Sequence, residues 1–317
     1  MNRCNLCNKN NLIEYLVIDI SYIIYKCNDC EFIQLPQNRA AQLDDESNDN
    51  SIKQDKYRKT SKKDMEINSN VNFPDILKNL AHVIKEDTRR ISECVENSIP
   101  PDKEIKFIDV GSGYGHIGFN IGNNNPNVDV HLLETSKERM DMGIKTFKPN
   151  INNFTFHHRV LDSSFIKEYF ECFDVVLSFH VLEHVYDMIN FMKNIYDITK
   201  SGGLIIIEVP NEDDDLQNFS ENYKKIIHFP AHISYFTKKT LQLLLDRANI
   251  SDSVDFIGVQ RYGFFNYIDW IRYNNKDMVL SDDYTPRNKQ SWIEKMWLNN
   301  KKENLTTDSI MMLIRKL

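Results

Sequence analysis

Apolar and polar positions alternate along the chain with two different periods. KFIDV at 106–110, DVHLLE at 129–134, FTFHHRV at 154–160, FDVVLSF at 173–179 and LIIIEVP at 204–210 are nearly continuous apolar runs of strand length. Such runs predict strands buried on both faces. Between them GSGYGHIGFNIG, SKERMDMGIK and a segment from about Val185 to Thr199 read as helices. Strand and helix in alternation predict an α/β fold with a mostly parallel sheet. Upstream of these runs, Ile76, Leu77, Leu80, Val83, Ile84, Ile91 and Val95 recur at helical spacing between Pro74 and the Pro100-Pro101 stop. Downstream lie a long excursion over 211–236, a helix starting near Thr237 and a strand-like VDFIGVQRY at 254–262. A Tyr-, Phe- and Trp-rich insertion over 262–305 and a final strand-like DSIMMLIRKL follow.

The first 35 residues follow another pattern. Cys4/Cys7 and Cys27/Cys30 form two CxxC pairs separated by 19 residues, and LIEYLVIDISYIIYKC between them has the β-branched and aromatic content of short strands. Each CxxC places two sulfurs on one tight turn, and two such turns complete a tetrahedral zinc site. The unit is too small to hold together by burial alone, so metal binding would supply much of its folding energy. With all four positions filled by protein, the expected Zn2+ is structural; redox pairs or inert thiols are the competing readings. Cys94 and Cys172 are isolated. Residues 36–73 are almost entirely polar and read as a linker or solvated cover, with Lys56, Tyr57, Arg58 and Lys59 as the group that could close over a ligand. The expected organisation is a zinc-ribbon-like module at 1–35, this linker, and a main domain at 74–317 with substrate-cap segments at 211–236 and 262–305.

Composition narrows the classes of partner. The chain has 317 residues, 41% of them hydrophobic, with 39 basic and 46 acidic residues and a formal net charge of -7. That balance predicts no broad nucleic-acid surface. No uninterrupted apolar run of about 18 residues exists and the opening MNRCNLCNKN has no apolar leader, so a cytoplasmic protein without a membrane span is expected.

The densest chemical signal is Asp109-Val110-Gly111-Ser112-Gly113-Tyr114-Gly115, a strand that ends in an acid and runs into a glycine-rich turn opening a helix. Glycines let the backbone approach a ligand, and the helix start offers free N–H groups. The spacing is GxGxG rather than the dinucleotide GxGxxG. Glu134, at the tip of the second strand, is placed to accept both hydroxyl protons of a ribose, a pattern shared with NAD-dependent oxidoreductases.

From about residue 74 to the end, the chain resembles class I S-adenosylmethionine-dependent methyltransferases. The matching stretches are FIDVGSGYGHIG, HLLETS, FDVVLSFHVLEHVYDMINFMKNI, ITKSGGLIIIEVPN and HISYFTKKTLQLLLDRANI. The resemblance implies a Rossmann-like sheet and S-adenosyl-L-methionine as cofactor. Gly111, Gly113 and Gly115 would shape the turn beside it, Asp109 would orient its amino end, and Glu134 would hold its ribose. Leu161 and Asp162 would meet the adenine, and Phe179 and His180 would line the methionine side. Some bacterial relatives that methylate sugar nucleotides also carry a four-cysteine zinc module, which implies a small-molecule acceptor such as a nucleotide-activated sugar or surface-glycan precursor.

A transferase of this kind needs a group that takes a proton or holds the acceptor, and histidine suits that role near neutral pH. His232 occupies the position in HISYF where related sugar C-methyltransferases carry a base; His228 and His184 are the other candidates. Those relatives show a fuller HEH-like pattern where this chain has Pro230-Ala231-His232, so O-, N- and C-methylation all stay open. The close histidines lack a third and fourth ligand at motif spacing, which speaks against a second, catalytic metal. His157 and His158 are adjacent in a strand and point to opposite faces. In YGFFNYIDWIRYNN and its flank, Arg261 and Arg272 could pair with an anionic substrate, while the aromatics read equally as a packed cap or a homodimer surface. An RNA or protein methyltransferase guided by the ribbon, and a non-catalytic S-adenosylmethionine-binding assembly protein, are the alternative functions.

Overall fold

The computed structural model describes residues 3–19, 22–36, 87, 89–91, 93, 94, 104–147, 153–228, 232–274 and 291–317. The polar segment with Lys56, Tyr57, Arg58 and Lys59, and most of the helix expected from Pro74, lie outside the described residues. Three short strands open the chain: β1 (Leu12–Asp19), β2 (Tyr22–Cys27) and β3 (Ile33–Gln34). Five strands then run parallel: β4 (Ile105–Val110), β5 (Val128–Leu133), β6 (Phe154–His157), β7 (Phe173–Phe179) and β8 (Thr199–Pro210). After the two-residue β9 (Ser234–Tyr235) come β10 (Val254–Val259) and β11 (Ser309–Arg315).

The main sheet has the order β10-β11-β8-β7-β4-β5-β6. β11 inserts antiparallel between β8 and β10, as in class I Rossmann-like methyltransferase folds. The chain order reverses at β4, which pairs with β5 on one side and β7 on the other. The crevice beyond the carboxyl ends of β4 and β7 is therefore the topological switch point, where ligands bind open α/β sheets. The apolar runs form strands because both faces are covered: Phe107, Ile108, Val130, Leu132, Val175, Val176, Leu177, Ile205, Ile206 and Ile207 are all sealed from solvent.

The helices whose whole length is described connect and cover these strands: α1 (His116–Asn124), α2 (Lys137–Phe147), α3 (Ser163–Tyr169), α4 (Met188–Ile198), α5 (Glu221–Ile227), α6 (Lys238–Ala248), α7 (Phe264–Tyr273) and α8 (Trp292–Glu303); residues 87, 89–91, 93 and 94 are helical too. α4 buries Met188, Met192 and Ile195, a stripe at helical spacing, and starts where Asp187 accepts the Asn190 N–H at 3.1 Å. α6 starts at the Thr237–Thr240 capping box and stops at Asn249 in the left-handed conformation. None of these helices is long and apolar enough to cross a membrane.

Some boundaries differ from the sequence reading. The third strand stops at His157 instead of running on to 160, because β6 is an edge strand that pairs with β5 over four residues only. The fifth begins at Thr199, and the amphipathic SWIEKMWL is the first part of a longer helix, α8. The N-terminal unit is also joined to the main domain by backbone. β3 pairs antiparallel with β9, giving a small sheet of order β1-β2-β3-β9. The Arg247 guanidinium donates to the Cys7 carbonyl at 2.8 Å, and all four CxxC cysteines pack into the same core as α4 and α6.

Candidate functional site

At the end of β4 the backbone turns through three left-handed glycines, with φ of 75° at Gly111, 56° at Gly113 and 70° at Gly115. A Cβ on Gly111 would lie 2.5 Å from Val181 Cγ2, so no larger residue fits that turn. A Cβ on Gly113 would meet nothing within 4 Å, so this face of the loop is open. Gly115 caps α1 with no side-chain hydrogen bond, and in the first turn the Gly118 N–H is taken by the Asp109 carboxylate. Ser112 Oγ is buried beside them without a partner. Open backbone at Gly113, the start of α1 and an orphaned hydroxyl fit the polar amino-acid end of an adenosyl amino acid.

The acids around the loop are in place. Asp109 is buried, and burial, with the nearby Glu134 charge adding to it, pushes its carboxyl up to about 7. Glu134 accepts the Gly113 and Ser136 N–H groups, both at 2.8 Å, which fixes its carboxylate at the tip of β5 against the glycine turn. Leu161 is half-buried and Asp162 is exposed. Asp162 is the N-cap of α3: its Oδ1 accepts the Phe165 N–H at 2.8 Å and the Ser164 hydroxyl at 2.7 Å. Those two bonds, with Arg159 nearby, hold it at about 2. The structure thus assigns Asp162 a capping task, with Oδ2 outside these contacts.

Beyond β7 the histidines separate into different environments. His180 has a left-handed backbone, φ 53°, and its Nδ1 lies 3.3 Å from Glu183 Oε1. Burial lowers its pKa and so does the Arg261 guanidinium, 3.2 Å from Nε2, but Glu183 and Glu208 outweigh both and bring it to about 8. Arg261 and Arg90 each lie 5.9 Å from the centroid of the Phe179 ring. Arg90 donates to Glu208 at 2.6 Å, and Asp87 sits between the two arginines at 3.1 and 3.5 Å. Arg272, by contrast, is exposed on α7.

His184 and His232 come together, with ring centroids 5.0 Å apart. Burial, and then the charge of His184, drives the His232 pKa down to about 3. The Ile227 carbonyl takes a hydrogen bond from the His232 ring, and Nδ1 is the buried ring nitrogen without a partner. The proton therefore belongs on Nε2, and Nδ1 presents a lone pair. His228 stands apart and fully buried: Nδ1 is 2.7 Å from the Lys224 carbonyl and Nε2 is 3.1 Å from Glu212. Tyr15 of β1 donates to the same Glu212 at 3.0 Å. His228 thus ties the excursion to the N-terminal unit.

The four CxxC sulfurs meet as expected. Cys4 and Cys30 Sγ are 3.5 Å apart, Cys7 and Cys27 Sγ are 3.6 Å apart, and all four lie within 4.8 Å of one another. A tetrahedral zinc with sulfurs about 2.3 Å away needs them roughly 3.8 Å apart. The cluster is therefore capable of binding a metal and fits zinc closely.

Several groups at the site escaped sequence reasoning. His116, first in α1, is lowered to about 4 by burial, then by Arg261 and His180. Its place directly after the glycine turn was the available signal. Arg90 and Glu208 had none, being a helical and a strand position 118 residues apart. Glu183 was visible only as a neighbour of His184, although its carboxylate reaches His180, His184 and the His232 cluster. His157, paired with His131 at 2.8 Å inside the sheet, and the exposed His158 point to opposite sides.

A seven-stranded sheet of this order, with a glycine turn and an acid at the tip of its second parallel strand, defines a class I methyltransferase. The chain belongs to the methyltransferase-domain family, whose model matches residues 76–252, more than half of it. A ubiquinone biosynthesis O-methyltransferase of Parvibaculum lavamentivorans is 25% identical over 116 residues, 36% of this chain and 44% of that protein. The chain thus matches less than half the length of this curated relative. Among solved structures, an S-adenosylmethionine-dependent methyltransferase from Archaeoglobus fulgidus aligns over 74% of this chain and 94% of its own, at 13% identity and a TM-score of 0.48. Phosphoethanolamine N-methyltransferase 2 of Haemonchus contortus aligns over 78% and 60%, at 16% identity and 0.46.

Proposed function

We propose that this chain transfers a methyl group from S-adenosylmethionine to a small-molecule acceptor, with a nucleotide-linked sugar or surface-glycan precursor as the leading class. The observation that carries this reading is the convergence, at the switch point of the sheet, of a glycine turn with its two acids and a half-buried histidine cluster. The bound cofactor supplies an electrophilic methyl. Asp109, ionised, faces the cofactor's ammonium, Glu134 the ribose hydroxyls, Leu161 and Asp162 the adenine, and Phe179 and His180 the methionine side. His184 and His232 meet the acceptor on the other side of the crevice and orient its reacting atom. His228 keeps the loop carrying His232 in register through Glu212.

Net acidity favours a small anionic metabolite over RNA, and Arg261 is a cation at the site, beside His180. The cysteine cluster holds Zn2+ as a structural ion, and the protein acts in the cytoplasm, where thiolates persist as metal ligands. Label transfer from methyl-labelled S-adenosylmethionine to a panel of sugar nucleotides, phosphorylated metabolites and RNA tests the reading. Label on RNA alone would contradict it.

A further inference from the structure

Glu183, His184 and His232 form a second group of possible ligands, distinct from the cysteines, and their ligand atoms lie within 4.8 Å of one another. Three features of the cluster point to an ion rather than to a hydrogen-bonded network. Glu183 is 1% exposed, and its Oε2 is buried with no partner, although Oε1 reaches His180 at 3.3 Å and His184 Nε2 at 3.9 Å. His232 Nδ1 is likewise buried and unpartnered. The Ile227 carbonyl holds the opposite edge of that ring, the arrangement by which outer hydrogen bonds fix the tautomer of metal-bound histidines. Two buried acceptors of the cluster thus have no hydrogen-bond donor among the described residues.

The surroundings leave this charge available. Arg90 and Arg261 are matched by Glu208 and Asp87, so Glu183 is the carboxylate shared between His180 and the His184–His232 pair. The backbone then locks the cluster. Ile233 N–H donates to the Glu183 carbonyl at 2.9 Å, and Leu35 N–H donates to the Ile233 carbonyl at 3.0 Å. The backbone beside His232 is therefore tied both to Glu183 and to the junction between β3 and β9.

Resting on the methyl-transfer reading of this crevice, we propose that Glu183, His184 and His232 hold a divalent transition-metal ion that binds the acceptor's hydroxyl. Two imidazoles and one carboxylate suit Zn2+, Mn2+ or Fe2+ better than Mg2+ or Ca2+. Ligands about 2.1 Å from one ion stand roughly 3–4 Å apart, so side-chain torsion alone closes the cluster. Three protein ligands leave positions open for the acceptor, whose O–H becomes more acidic on the ion. The acceptor loses that proton to solvent. Its oxygen pair forms the new C–O bond as the methyl's C–S bond breaks, with the bonding pair staying on sulfur. The reaction would then be O-methylation, and the acceptor a hydroxyl compound.

The test is Mn2+ titration of the full chain with its cysteine cluster zinc-loaded, followed by electron paramagnetic resonance. One Mn2+ per chain should bind, with pulsed spectra showing two imidazole nitrogens. Glu183→Gln and His232→Gln should each weaken binding at least tenfold, with S-adenosylhomocysteine affinity kept within about twofold as the check on folding. No Mn2+ or Co2+ bound by the wild type at millimolar concentration, or bound ion without histidine nitrogens, would overturn the proposal. The readout is independent of turnover: ion binding without transfer to any acceptor supports the site and counts against the methyl-transfer reading alone. Full-rate transfer by protein shown to be free of the second ion would overturn the ion's role.

Discussion

At the scale of single residues, Asp109 makes the clearest commitment. Its carboxyl ionises near 7 in the folded protein because it is buried, and near 3.9 in an unfolded chain. Between those values the folded state holds a proton that the unfolded state has lost, so stability should fall as pH rises from about 4 to 7 and then level off. Thermal unfolding of the ligand-free protein across this range should show that slope, and Asp109→Asn should flatten it. Affinity for S-adenosylhomocysteine should move the other way, rising through about pH 7 as the carboxylate becomes available to an ammonium group. His232 is the complementary test: His232→Ala should lower kcat by about 10²-fold or more while S-adenosylhomocysteine still binds. An unchanged kcat would remove His232 from the reaction. The sequence pointed to both residues by type and position. It gave no sign of the state of either carboxylate or ring, because burial depends on strands far apart in the chain. For the same reason Glu183 was legible only as the residue before His184, with no sign of the histidines its carboxylate meets.

At the scale of elements, the two-residue pairing of β3 with β9 matters most. It carries the order of the cysteine unit to Ile233, one residue from His232, and the Tyr15–Glu212–His228 chain runs alongside. Removing the metal from the cysteine cluster should therefore weaken acceptor binding and transfer more than S-adenosylhomocysteine binding. Hydrogen exchange at Ser234 and Tyr235 should rise in the same sample. Equal loss of both affinities would mean that the unit supports the whole fold rather than this loop. Tyr15→Phe removes one partly buried hydrogen bond and should cost about 1 kcal/mol of stability in chemical unfolding. The cysteine spacing was plain in the sequence, but this junction was not. A strand of two residues has no period to read, and its partner lies some 200 residues away.

At the scale of the molecule, the order of the parallel strands was legible because each is an apolar run closed by a turn signal. The antiparallel insertion of β11 was not: DSIMMLIRKL reads as a strand, but nothing local says which neighbours it takes. The aromatic excursion resolves similarly. Tyr223, Tyr267 and Trp270 form a buried cluster with Leu216, and Trp297 packs against it, so the segments before and after α6 share one small core. The most direct measurement is label transfer from methyl-labelled S-adenosylmethionine by the zinc-loaded full chain, read by mass spectrometry against sugar nucleotides, phosphorylated metabolites and RNA. The account predicts label on a small hydroxyl-bearing, anionic acceptor, lost in His232→Ala. Label on RNA or protein alone, or label on a small molecule that survives loss of His232, would contradict it.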